Sequence, residues 1–223
     1  MPTPAAIVFD NDGLLLDTEE AWTRAETALF ARHGATFTFE HKRDLIGSSH
    51  TVAAGKLEAM LGLPGEGPAL MADLHALVMD EALHDVEPRP GAVGLVTALR
   101  AAGVPVAVAS NSSRDFLDRV LRTGGVADLF AVTVAGDEVD HPKPAPDIYL
   151  EACRRLGADP AAAVGLEDSP TGAAAAKAAG LYVIGVPYLA EIEIPQADLL
   201  AESLADAVVH AACGLQAPTP STR

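Results

Sequence analysis

Five short apolar runs, rich in β-branched residues, mark the chain: Ala6–Phe9 (AIVF), Val104–Ser110 (VPVAVAS), Phe130–Gly136 (FAVTVAG), Ala161–Asp168 (AAAVGLED) and Leu181–Val186 (LYVIGV). Segments of helical period lie beside them at Gly91–Gly103, Arg114–Val126, Ala145–Gly157 and Ser169–Gly180. Strands that are apolar along their whole length, alternating with helices, predict a parallel sheet covered on both faces. The expected fold is α/β: a doubly wound, mostly parallel, Rossmann-like sheet, with ligands bound beyond the carboxyl ends of its strands.

One stretch breaks the alternation. From Asp17 to about Arg89 the pattern is helical throughout, in TEEAWTRAETALFARHG, TVAAGKLEAMLG and ALMADLHALVMDEALHDV. It is too long for a loop, and it leaves and returns beside the first strand. Residues 17–88 are therefore expected to form an inserted helical cap domain, hinged near Leu16–Asp17 and Glu87–Pro90. Residues 1–16 and 89–223 then make the core, and the tail APTPSTR is expected to be disordered.

Composition narrows the function classes. The 223 residues carry a formal net charge of −16, which argues against nucleic acid or an anionic membrane as partner. No apolar stretch reaches the roughly 20 residues of a membrane helix, and AAIVFD is too short for the core of a signal peptide. A cytoplasmic, monomeric protein is expected. Cys153 and Cys213, the two cysteines, offer neither a disulfide framework nor a zinc site.

The strand ends carry the polar residues. The first strand delivers Asp10 and Asp12, the next Ser110 and Asn111, and the loop DHPKPAPD offers Lys143. A later strand ends in Glu167 and Asp168, with Ser169 at a helix N-cap position. In a parallel sheet these ends share one edge. Paired aspartates repel unless a cation sits between them, and magnesium prefers oxygen ligands completed by a substrate phosphate. The pattern predicts a Mg²⁺ site that also receives a phosphate, with Lys143 and helix N–H groups supplying the remaining positive field.

The motifs D-x-D-G at Asp10–Gly13, a hydroxyl at Ser110, KPAPDIY from Lys143 and EDSPTG from Glu167 together resemble the haloacid-dehalogenase-like superfamily across essentially the whole chain. The branch that the chain resembles is the one containing β-phosphoglucomutase and sugar-phosphate phosphatases. This resemblance implies Asp10 as nucleophile and Asp12 as acid and base, with the Asp12 backbone carbonyl on the metal. It further implies that Ser110 and the Asn111 N–H hold phosphate oxygens, Lys143 neutralises charge, Asp168 ligates Mg²⁺, and Glu167 supports Asp168. Leu14 departs from the family's usual Thr or Val, with little expected effect on the chemistry.

A dehalogenase or a phosphonate-cleaving relative would not need Asp12. A phosphomutase would, but its pattern has His where Trp22 stands, Arg near His50 and Lys near Ser113. Those losses favour hydrolysis of a small phosphorylated metabolite, expected to be a sugar phosphate. A catalytically silent phosphate-binding regulator is the alternative of another class. Glu19, Trp22, Arg43, His50 and Lys56 are candidate substrate contacts; His33, His41, His75, His84, His141 and His210 read as surface or packing residues.

Overall fold

A computed structural model describes residues 3–215 except 47, 49, 82, 83 and 85. The expected disorder of the APTPSTR tail falls outside the described residues. Strand β1 (Ala6–Phe9) is followed by four helices, α1 (Glu19–Arg32), α2 (Phe39–Leu45), α3 (His50–Leu61) and α4 (Gly67–Glu81). The alternating part then runs α5 (Ala92–Ala101), β2 (Val106–Ser110), α6 (Arg114–Thr123), β3 (Val132–Ala135), α7 (Asp147–Leu156), β4 (Ala163–Glu167), α8 (Pro170–Ala178) and β5 (Tyr182–Gly185). Strand β6 (Leu199–Leu200) and α9 (Ala207–Ala212) close the chain.

The six strands form one sheet in the order β3-β2-β1-β4-β5-β6, parallel at every pairing. Its two faces follow from the period of two along each strand. Ile7, Phe9, Val106, Val108 and Leu166 belong to one core, shared with α5, α6 and residues of α1 and α4. Ala6, Val8, Ala107, Ala109 and Val183 belong to the other, packed by Ile148, Tyr149 and Ala152 of α7 and by the alanines of α8. The small residues on this second face leave room for the Tyr149 ring, which is fully buried.

The chain departs from the sheet and rejoins it at one paired point. Leu16 bridges Pro88 in antiparallel sense, the Asp17 N–H donates to the Glu87 carbonyl at 2.8 Å, and the Arg89 N–H donates to the Leu15 carbonyl at 3.0 Å. Arg24 of α1 meets Glu81 of α4 at 2.6 Å, tying the first of the four helices to the last. No helix among the described residues is long and apolar enough to cross a membrane.

Candidate active site

The order of the sheet puts β1 at its middle, between β2 and β4, so the residues following these three strands converge. Asp10 continues the ladder, its N–H donating to the Leu166 carbonyl at 2.9 Å. Gly13 then turns the chain at φ 82°, and a Cβ there would overlap Asp168 Oδ2. Both the positive φ and the close approach of a carboxylate require glycine at this position.

Lys143 is buried between two carboxylates. Its Nζ donates to Asp10 Oδ1 at 2.5 Å and to Glu167 Oε1 at 2.6 Å, and stands 5.0 Å from the centre of the Tyr149 ring. The Tyr149 hydroxyl donates to the same Glu167 oxygen, while Ser169 Oγ donates to Glu167 Oε2 at 3.3 Å. Ser169 caps α8 by accepting the Gly172 N–H at 3.1 Å, and a Cβ on Gly172 would overlap the Glu167 carboxylate. The EDSPTG stretch thus sets Glu167 against the start of a helix.

Asp10, Glu167 and Asp168 bring carboxylate oxygens within 4.8 Å of one another, all three buried. Burial pushes the Asp10 carboxyl well above the usual carboxylate range; Lys143 opposes the push, and Glu167 and Asp12 add to it. Burial, then Asp10, Glu167 and Glu19, push Asp168 the same way. Burial pulls the Lys143 ammonium down, but Asp10 and Glu167 more than offset this and hold it above its ordinary range. Three carboxylates facing one ammonium, with oxygen donors only, fit a hard divalent cation.

The Asp12 carboxylate lies outside this cluster, though it lines the same cavity as Asp10 and Asp168. Its Oδ1 accepts from Thr18 Oγ1 at 2.8 Å and Asn11 Nδ2 at 3.1 Å; its Oδ2 accepts from Ser110 Oγ at 2.8 Å and Ser112 Oγ at 2.9 Å. The two aspartates of the first motif therefore occupy different surroundings.

A cavity of about 480 Å³ opens above the strand ends. Asp10, Asp12, Asn111, Ser112, Lys143 and Asp168 form its sheet side. Glu19, Trp22, Glu26, Lys42, His50 and His75 face it from the helices. Trp22 leans on Phe116 of α6, with ring centroids 5.5 Å apart, so the aromatic pair spans the cavity wall between α1 and the sheet's helices.

Several candidates sit elsewhere than expected. Ser110 is fully buried and does not line the cavity, whereas Ser112 does; the hydroxyls of both donate to Asp12 Oδ2. The metal-sized cluster takes in the carboxylates of Asp10, Glu167 and Asp168; the carboxylate of Asp12 lies outside it, and the expectation for Asp12 concerns its backbone carbonyl. Arg43 is exposed and off the cavity, whereas its neighbour Lys42 points in, buried. Lys56 is also off the cavity, donating to the Asp44 carbonyl and to Ser48 Oγ. His75, read as a surface or packing residue, lines the space. Thr18, Lys42, Ser112 and Tyr149 were not among the sequence candidates.

This fold is that of a known enzyme class. The family model for haloacid dehalogenase-like hydrolases matches residues 4–180, and the chain belongs to that family of hydrolases. It is similar to the protein CbbY of Rhodobacter capsulatus, at 36% identity over 195 residues, covering 82% of this chain and 85% of that protein. It is similar to the validoxylamine A 7'-phosphate phosphatase of Streptomyces hygroscopicus subsp. limoneus, at 31% identity over 212 residues, covering 89% and 93%. A crystal structure of a CbbY variant from Rhodobacter sphaeroides in complex with xylulose-(1,5)bisphosphate superposes with a TM-score of 0.78 at 33% identity, covering 92% of this chain and 96% of that one.

Proposed function

We propose that this chain is a magnesium-dependent phosphatase that hydrolyses a small phosphorylated metabolite, a sugar phosphate, through an aspartyl-phosphate on Asp10. The observation that carries the reading is the different surroundings of the two aspartates: Asp10 in the buried Lys143–Glu167–Asp168 cluster, Asp12 accepting from four donors. The phosphatase named among the relatives and the bisphosphate complex of a similar chain support the class of substrate.

Lys143 occupies Asp10 Oδ1, which leaves Oδ2 to attack phosphorus. As the ester P–O bond breaks, the leaving oxygen takes a proton from Asp12. Water then attacks the aspartyl-phosphate and gives its proton to Asp12, and the Asp10–phosphorus bond breaks to release phosphate. Lys143 neutralises charge on the phosphoryl oxygens and the Asn111 N–H binds them as charge develops. Mg²⁺ held by Asp10 and Asp168, with Glu167 behind them, would screen the phosphate's charge from the nucleophile. Residues 17–88 act as the cap that excludes water during the transfer.

The test is phosphate release from a panel of phosphate esters with Mg²⁺. Asp10→Asn is expected to leave no turnover, and EDTA to abolish that of the unmodified chain. Normal hydrolysis of p-nitrophenyl phosphate by Asp10→Asn would end the covalent mechanism.

A further inference from the structure

The helical side of the cavity carries a charge cluster of its own. Lys42 Nζ lies 2.6 Å from Glu19 Oε2 and 3.3 Å from Glu26 Oε2, and it also donates to the Glu19 carbonyl at 3.3 Å. All three side chains are buried, and all three line the cavity. They come from two helices, α1 and α2, and face the phosphoryl site across the space.

Among the described residues, no lysine or arginine that lines the cavity is free of carboxylate partners. Lys42 and Lys143 are the only lysine or arginine residues lining the cavity among those described. Each is held between two carboxylates. Arg43 is turned outward, and Lys56, itself off the lining, donates to the Asp44 carbonyl and to the Oγ of Ser48 at the cavity's edge. A second phosphate on the substrate would bring a charge of about −1.5 to −2 beside Glu19 and Glu26. A like-charge juxtaposition in a partly desolvated site is strongly unfavourable. Hydroxyl groups meet no such penalty, because they donate to the two carboxylates and accept from the ammonium.

Building on the phosphatase reading, we infer that Glu19, Lys42 and Glu26 form a recognition site for an uncharged, hydroxyl-rich leaving group. The substrate class is then the monophosphate ester of a neutral sugar or polyol, and bisphosphates are rejected. This separates the chain from the similar CbbY protein, which was crystallised with a bisphosphate.

The experiment compares kcat/KM for matched pairs, a pentose or hexose monophosphate against the corresponding bisphosphate, with Mg²⁺ at pH 8, above the ordinary titration range of imidazole. The monophosphate is expected to be favoured by about tenfold or more. The double variant Glu19→Gln, Glu26→Gln frees Lys42 from its carboxylates and is expected to narrow that ratio about tenfold, chiefly through a lower KM for the bisphosphate. Equal or better hydrolysis of the bisphosphate by the unmodified chain, with p-nitrophenyl phosphate turned over, overturns the recognition site alone. Absence of phosphate release from p-nitrophenyl phosphate and every ester overturns the hydrolase reading on which it rests. The comparison on the unmodified chain decides the question even where the double variant fails to fold.

Discussion

Asn111 and Lys143 exchange two hydrogen bonds: the amide Nδ2 donates to the Lys143 carbonyl at 3.1 Å, and the Lys143 N–H donates to Oδ1 at 2.8 Å. The residue after β2 thereby fixes the backbone of the loop whose ammonium sits between Asp10 and Glu167. Asn111→Ala removes both bonds while sparing the apolar core. The expected outcome is a fall in kcat of roughly 10- to 100-fold, since a small misplacement of a charged group in a site of this kind is costly. Circular dichroism should show unchanged secondary structure. Asn111→Asp is expected to do no better, because a carboxylate accepts the N–H but cannot donate to the carbonyl. An unchanged kcat in either variant would mean that Lys143 is positioned by its carboxylates alone.

Gly13→Ala tests the close approach of the first motif to the last. The residue lies at φ 82°, which costs a non-glycine residue roughly 1–2 kcal/mol, and the added Cβ would overlap Asp168 Oδ2. Moving Asp168 outward spoils its convergence with Asp10. The Mg²⁺ concentration giving half-maximal activity is expected to rise by about tenfold or more, and a magnesium titration of activity and of melting temperature checks it.

The parallel sheet was legible because strands buried on both faces read as unbroken apolar runs; β1, β2, β3, β4 and β5 all fall within the runs marked by sequence. The rim was legible because strand ends in such a sheet share an edge, which brings Asp10, Asn111, Lys143 and Asp168 to one cavity. Helix α2, with the sequence FEHKRDL, was not, since its sole fully apolar inward residue is Leu45 and the other inward residue is a lysine. Adjacent helical residues point about 100° apart, and no pattern in that stretch says whether Lys42 or Arg43 turns inward. The same limit applies at Ser110 and Ser112: one packs under Asp12 and the other faces the space, a choice made by the turn rather than by residue type. Tyr149 was hidden for a different reason. It sits on the apolar face of α7 beside Ile148 and Ala152, where an aromatic ring reads as packing and its hydroxyl gives no separate signal.

Trp22 is the chain's single tryptophan, so its emission reports the cavity without labelling. Its ring contacts Phe116 across the boundary between α1 and α6. Binding of Mg²⁺ with orthovanadate, an analogue of the transferring phosphoryl group, is expected to shift or quench the emission by changing water access to the ring. Phe116→Ala removes the partner ring and should red-shift the ligand-free spectrum toward that of a solvated indole. A spectrum insensitive both to ligand and to this substitution would place Trp22 outside any closing motion.

Glu26 makes the buried triad visible in stability. Burial, opposed by Lys42 and reinforced by Glu19, raises its carboxyl from 4.5 to about 7. Between these values the native protein keeps a proton that the unfolded chain has released. The group's contribution to stability is therefore full below pH 4.5 and is lost as pH rises through 7. Glu26→Gln abolishes that titration while keeping a side chain of the same size. Comparing the two proteins at each pH cancels the other ionisable groups, so the variant should gain on the unmodified chain by about 2–3 kcal/mol between pH 5 and pH 8. For a chain of this length that corresponds to a relative shift in melting temperature of roughly 5–10 °C. Lys42 stays paired with Glu19 in the variant, so the shift isolates the cost of ionising Glu26 in a buried wall. Parallel stability profiles for the two proteins across that range would mean that Glu26 ionises in the folded state as freely as in the unfolded one, and that water reaches the triad.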